Sequence, residues 1–105
     1  MKAVQKVKCI NRAWFVLSFE VVGPNGHSLS SDDLPIQREG ILDLTEGGFP
    51  EGTEVALRAK AVMGEALEAA EKLRVARNGR AAVFEVRGTS LDFRVELVAI
   101  REAEG

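Results

Sequence analysis

The chain has one cysteine, one histidine, one tryptophan and no tyrosine, and each scarcity closes off a class of function. A lone Cys9 excludes an internal disulfide, and one thiol cannot build a cysteine-based zinc cluster. Lying in an alternating apolar segment, Cys9 reads as a small buried hydrophobe and not as a nucleophile. Its only histidine partner would be His27, which sits beside Gly26 and three serines, yet no Gly-x-Ser-x-Gly elbow and no fixed carboxylate accompany it. The glycines occur singly or as turn pairs, without the GxGxxG or GxxxxGK spacing that cradles phosphate. The reading is therefore of a protein that is not an enzyme.

An excess of basic charge is also missing. Fourteen Lys and Arg stand against 16 Asp and Glu, a formal net charge of −2, and the cations are scattered. The two concentrations, Lys2, Lys6 and Lys8 and then Arg74, Arg77 and Arg80, read as solvated faces, so a nucleic-acid partner is not expected. No apolar run reaches the roughly 18 residues that cross a bilayer, and Met1 to Arg12 is too charged for a signal peptide. The expectation is a soluble chain with no transmembrane segment, cytoplasmic by default and secreted if a leader was removed.

What is present is a succession of short alternating runs. At 105 residues the chain is long enough for one domain with its own core. Ala3 to Ile10 alternates as a first strand, and Trp14 to Val22 as a central one, with Phe15, Leu17, Phe19 and Val21 on one face. The break at Asn11-Arg12 predicts a three-residue loop, or else two strands in different sheets. Gly23-Pro24-Asn25-Gly26 is a turn by composition, followed by an irregular polar stretch from His27 to Pro35. Ile41, Leu42 and Leu44 mark a short strand, and Val55 to Ala61 another. Asn78-Gly79 between apolar runs predicts a type I′ hairpin with Val75 opposite Ala82 and Leu73 opposite Phe84. A second turn at Gly88-Thr89 would set Val86 opposite Leu91 and Phe84 opposite Phe93. Glu65 to Leu73 is rich in helix formers, and one or two helical turns over 65–70 are expected before a strand from about Glu71. Glu102 to Gly105 reads as a frayed tail.

Six to eight strands with turn signals at near-regular spacing describe an all-β antiparallel sandwich. The proportions resemble immunoglobulin-like or lectin-like sandwiches, although the Cys-Trp-Cys spacing of a true immunoglobulin domain is lacking. The expected core comprises Val7, Cys9, Phe15, Leu17, Phe19, Leu44, Val55, Leu57, Leu73, Val75, Phe84, Val86, Leu91, Phe93, Val95 and Leu97.

Candidate functional residues follow from residue type. Trp14 faces away from the core on this register, where an indole can serve as a platform for a sugar ring or a protein partner; the absence of tyrosine weighs against a glycan or antibody-like surface. His27, Asp32 and Asp33 lie on the long loop, where binding residues concentrate. Asp32 and Asp33, with Asp43 and Glu46 or Glu51, offer the hard oxygens that calcium takes, but their spacing matches no calcium loop, and Ser-Ser-Asp-Asp is the composition of a turn. Glu85 and Asp92 would sit side by side across the second hairpin, with Lys72, Arg87 and Arg94 around them as an ordinary charged outer face. No cofactor is implied beyond that calcium option. The leading expectation is a non-enzymatic binding module for a glycan, a protein or a membrane-associated ligand. The alternative is a homo-oligomer that self-associates through an exposed edge strand. A small hydrolase ranks last. The Ala, Glu and Arg richness from Gly52 onward is the palette of a high-GC genome and equally of a stability-optimised scaffold.

Overall fold

A computed structural model describes residues 1–62 and 64–102. Among the described residues nine strands form two sheets packed as a β-sandwich, with one 3-10 turn at Pro24–Gly26. In chain order they are β1 (Lys2–Val4), β2 (Lys6–Asn11), β3 (Leu17–Val22), β4 (Ser28–Ser30), β5 (Glu39–Asp43), β6 (Glu54–Ala61), β7 (Ala66–Val75), β8 (Ala81–Thr89) and β9 (Asp92–Arg101). One sheet has the order β1-β7-β6-β3-β4 and the other β5-β2-β8-β9. Among the described residues no helix is long and apolar enough to cross a membrane.

The core follows the period-two pattern. Val7 and Cys9 from β2, Leu17, Phe19 and Val21 from β3, Val55, Leu57 and Ala59 from β6, and Ala82, Phe84 and Val86 from β8 are all buried in one cluster. Phe19 and Phe84 are its largest fully enclosed side chains, each removing on the order of 2–3 kcal/mol worth of apolar surface from water. Leu91 is the exception to the expected core: it is 95% exposed.

Five local expectations change. The first strand is two strands. It breaks at Gln5, so that β1 pairs parallel with β7 while β2 pairs parallel with β8, carrying the chain from one sheet to the other. The central strand begins at Leu17, and Trp14 belongs to the loop before it; β2 and β3 lie in different sheets. The helix at 65–70 is replaced by β7, because Ala69, Leu73 and Val75 at even spacing are buried against the core while Glu68, Glu71 and Lys72 face water; tertiary burial overrides local propensity. A bulge sets residues 69–71 against the single Leu57 of β6.

The Asn78-Gly79 hairpin is not formed. Gly79 has φ +73 but Asn78 stays out of the left-handed region, so the type I′ geometry is absent, and the segment instead crosses from β7 in one sheet to β8 in the other. The second hairpin exists, but its two-residue loop is Ser90-Leu91, four residues displaced in pairing: Val86 opposes Val95 and Phe84 opposes Leu97. Since the displacement is even, the same side chains still face inward. Gly88 lies within β8 at φ +120, where a Cβ would stand 2.4 Å from the Asp92 carbonyl oxygen; its glycine is needed for close strand approach and not for the turn. The tail expected at Glu102 to Gly105 lies, beyond Glu102, outside the described residues.

A candidate binding pole

Connections at one end of the sandwich converge on the β2–β3 loop (residues 12–16). The Trp14 amide donates to the Gly88 carbonyl (3.0 Å), the Val62 amide to the Val16 carbonyl (3.2 Å), and the Gln37 amide to the Asn11 carbonyl (2.8 Å). Four connections thus share this end of the sandwich: loops 12–16 and 31–38, the β6–β7 connection at Val62, and the 90–91 turn beyond Gly88. Among the described residues nine large hydrophobic side chains are exposed, and five of them, Trp14, Val16, Ile36, Val62 and Leu91, stand on these loops. Trp14 is 74% exposed. Trp14 and Ile36 share a shallow depression with Arg12, Gln37 and Arg87, and Val16 and Val62 share a second with Phe15 and Ser90. Phe15 itself turns inward onto Phe93, with ring centroids 5.1 Å apart.

The scaffold of this pole is a buried asparagine that the sequence pattern presents only as an interruption. Asn11, the last residue of β2, is wholly buried. Its Nδ2 donates to the carbonyls of Phe15 (2.8 Å), Leu34 (3.0 Å) and Pro35 (3.2 Å), and its Oδ1 accepts from the Ala13 amide (2.9 Å). One side chain therefore bonds four backbone groups, its two Nδ2 hydrogens shared among three carbonyls, of which those of Leu34 and Pro35 also accept from the Leu17 and Arg38 amides.

At the rim, Glu85 accepts from Arg12 Nε (3.1 Å) and Arg87 Nη2 (2.8 Å). Burial works to raise the Glu85 pKa, but hydrogen bonds and charge from Arg12 and Arg87 outweigh it and hold the carboxyl below its usual range. The register places Glu96, not Asp92, opposite Glu85, so the expected carboxylate pair is not made, and Lys72 lies in the other sheet against Glu54.

The remaining candidates are dispersed. Asp32 and Asp33 are exposed on the loop that also carries Ile36; Ser31 beside them accepts from the Phe19 amide and donates to the Asp32 carbonyl. Asp43 closes β5 and Glu46 lies in the β5–β6 connection, at the opposite end. There Asp43 Oδ1 accepts from the Thr45 amide (3.0 Å), the Thr45 hydroxyl (2.8 Å) and the Glu46 amide (3.1 Å), and Oδ2 accepts from Gln5 (3.2 Å). Burial opposes ionisation of Asp43, yet these bonds prevail and lower its pKa. Among the described residues no three His, Cys, Asp or Glu side chains converge to hold a metal. His27 stacks on Phe49 (4.1 Å, 21°) with Nε2 3.2 Å from the Gly47 carbonyl, a packing role at the end away from Trp14. Cys9 is buried, and that burial pushes its thiol up to about 12, far from the range of a nucleophile.

No family model matches the chain, and no curated protein sequence matches it. Solved structures do. The NMR structure of a protein from Eubacterium rectale is similar over 89% of this chain and 86% of that one, at 12% identity and a TM-score of 0.59. The crystal structure of a candidate cell adhesion protein from Bacteroides ovatus ATCC 8483 is similar over 96% of this chain, at 11% identity and a TM-score of 0.61, and the match spans 45% of that longer chain. At such identities the likeness is one of fold.

Proposed function

We propose that the chain is a non-enzymatic binding module whose four-loop pole packs on the apolar surface of a protein partner. The observation that carries this reading is the confinement of Trp14, Val16, Ile36, Val62 and Leu91 to one end of the sandwich; exposed apolar residues gathered in this way mark interaction surfaces, whereas scattered ones need no explanation. The composition is that of an interface core with a polar rim: an indole and aliphatic side chains inside, with Arg12 and Arg87 held by Glu85 beside them. A glycan is served less well, since one aromatic residue and aliphatic neighbours supply few convergent hydrogen bonds. Asp32, Asp33 and Glu65 on the same loops weigh against an anionic membrane surface. A candidate cell adhesion protein is built on the same fold.

The test is selection from a random peptide display library on the folded protein, with counter-selection on Leu91→Asp. Support would be peptides rich in aromatic and aliphatic residues whose affinity falls tenfold or more in the variant. Peptides that bind wild type and Leu91→Asp alike would defeat it, as would retention only by neutral glycans or lipid vesicles in parallel assays.

A further inference from the structure

Among the described residues the sandwich has one long unpaired edge. Strands β1 and β4 at the borders of the first sheet are three residues each, and β5 is five; short edge strands are a usual guard against pairing. The open stretch of β7 is interrupted by its bulge at residues 69–71, which twists an edge away from partners. Among the described residues strand β9 is ten residues long and pairs only with β8.

Its hydrogen-bonding parity is fixed by the other side of β8. The carbonyls of Val86 and Gly88 accept from Arg12 and Trp14, so residues 86 and 88 direct their backbone groups away from β9. Their partners Val95 and Phe93 therefore direct theirs away from β8, as does Leu97 opposite Phe84 by the same alternation. Phe93, Val95 and Leu97 are also core-facing residues left half-buried along this border. The edge thus combines open backbone donors and acceptors with incompletely covered apolar side chains.

We propose that β9 pairs antiparallel with β9 of a second copy of the chain, about a two-fold axis at Val95. In that register Val95 opposes Val95 and Phe93 opposes Leu97, each pair exchanging two backbone hydrogen bonds, and Arg94 opposes Glu96 of the partner subunit on the outer face, twice by symmetry. Within one chain Arg94 and Glu96 already meet at 2.8 Å, so the dimer extends this pair into an alternating grid. A shift of two residues in either direction sets Arg94 against Arg94 or Glu96 against Glu96, and like charges directly opposite are unfavourable. The charge pattern thereby selects one register. The result is a continuous eight-stranded sheet, two copies of a four-stranded one. Because β9 leaves the Trp14 end in each copy, the two apolar poles point in opposite directions, which makes the dimer bivalent.

Light-scattering mass across a concentration series, with Arg94→Glu, Glu96→Arg and the double swap, tests this. The side chains of Arg94 and Glu96 are 70% and 49% exposed, so the variants keep the fold, which circular dichroism checks. The expected result is a wild-type mass rising from 11.4 kDa toward twice that, a dissociation constant weakened tenfold or more by either single change, and its recovery in the swap. Amide exchange in the wild type gives a second reading: Phe93, Val95 and Leu97 become protected only at dimer-forming concentrations. A monomer up to about 1 mM, a dimer indifferent to Arg94→Glu, failure of the swap to restore it, or unprotected amides in the dimer would each overturn the proposal.

Discussion

Asn11 Nδ2 donates to the Leu34 carbonyl at 3.0 Å, and with its bond to the Pro35 carbonyl (3.2 Å) it ties the loop that carries Ile36 to the end of β2, where the loop that carries Trp14 begins. The two segments are 23 residues apart at these atoms; Asn11 closes β2, and Leu34 makes only an isolated bridge to Leu17. Their arrangement depends on a side chain between them.

Replacing Asn11 by alanine would leave the Phe15 carbonyl and the Ala13 amide without a partner and remove one of two donors from the Leu34 and Pro35 carbonyls, which keep the Leu17 and Arg38 amides. Each buried group left unsatisfied costs about 1–3 kcal/mol, partly relieved by entering water, so a total loss near ~3 kcal/mol is expected. Thermal melting should fall by roughly 10 °C or more. A change below about 1 kcal/mol in denaturant unfolding would show that the asparagine is not the support of these loops.

Asparagine at this position illustrates what sequence pattern carries and what it does not. The alternation in β2, β3, β6 and β8 exposes the sandwich and most of its core, because a buried strand face must be apolar at every second residue. Asn11 reads as the end of a strand, and only its complete burial reveals the network. The Glu65 to Leu73 stretch misleads for the opposite reason: its helix formers state a local preference, while the burial of Ala69, Leu73 and Val75 against the other sheet decides the outcome. Asn78-Gly79 is a turn dipeptide in a turn of another kind, since short-range signals do not tell whether two flanking strands share a sheet. In the sequence the candidate pole shows only as Trp14 and as the polar loop that holds Asp32 and Asp33. Val16, Ile36, Val62 and Leu91 are far apart in sequence, and Leu91 even reads as core; their union depends on which ends of which strands meet.

Cys9 makes stability sensitive to alkali. Its thiol is about 12 in the folded chain against 9.0 when solvated. Below pH 9 both states are protonated and the thiol has no effect on the balance. Between 9 and 12 the unfolded state releases a proton that the folded state keeps, so stability falls, by up to about 1.4 kcal/mol per pH unit. Cys9→Ala should lower stability at pH 7 but flatten this alkaline slope in denaturant titrations. An unchanged slope would refute the assignment. The native thiol should also resist alkylation at pH 8 and react once unfolded.

At acid pH the relevant groups are Asp43 and Glu85. Both are held below their unfolded values of 3.8 and 4.5, so each contributes stability that is present above those values and lost as pH falls through the lower folded pKa. Asp43→Asn should cost about 1 kcal/mol at pH 7, since the amide replaces an acceptor of the Thr45 and Glu46 amides less well, and should reduce the loss of stability between pH 5 and 2. If Asp43→Asn unfolds in parallel with wild type over that range, the turn does not depend on the carboxylate.

Leu91→Asp separates surface from core. Leu91 is nearly fully exposed at a hairpin tip, so the substitution should change stability by no more than about 0.5 kcal/mol, whereas Phe84→Ala should cost about 3–5 kcal/mol through loss of a fully enclosed ring. Melting of the two variants side by side checks both. A strongly destabilised Leu91→Asp would mean that Leu91 belongs to the core.

The most direct measurement of the binding pole uses its own chromophore. Trp14 is the only tryptophan and there is no tyrosine, so fluorescence reports on this end of the sandwich alone. Acrylamide quenching of Trp14 would be followed in the free protein and during titration with a display-selected apolar peptide, in wild type and in Leu91→Asp. The prediction is an indole open to quencher when free, with emission moving to the blue and quenching falling as the peptide binds, and neither change in the variant at the same peptide concentration. Saturable peptide binding that leaves Trp14 emission and quenching untouched would contradict a binding surface at the pole.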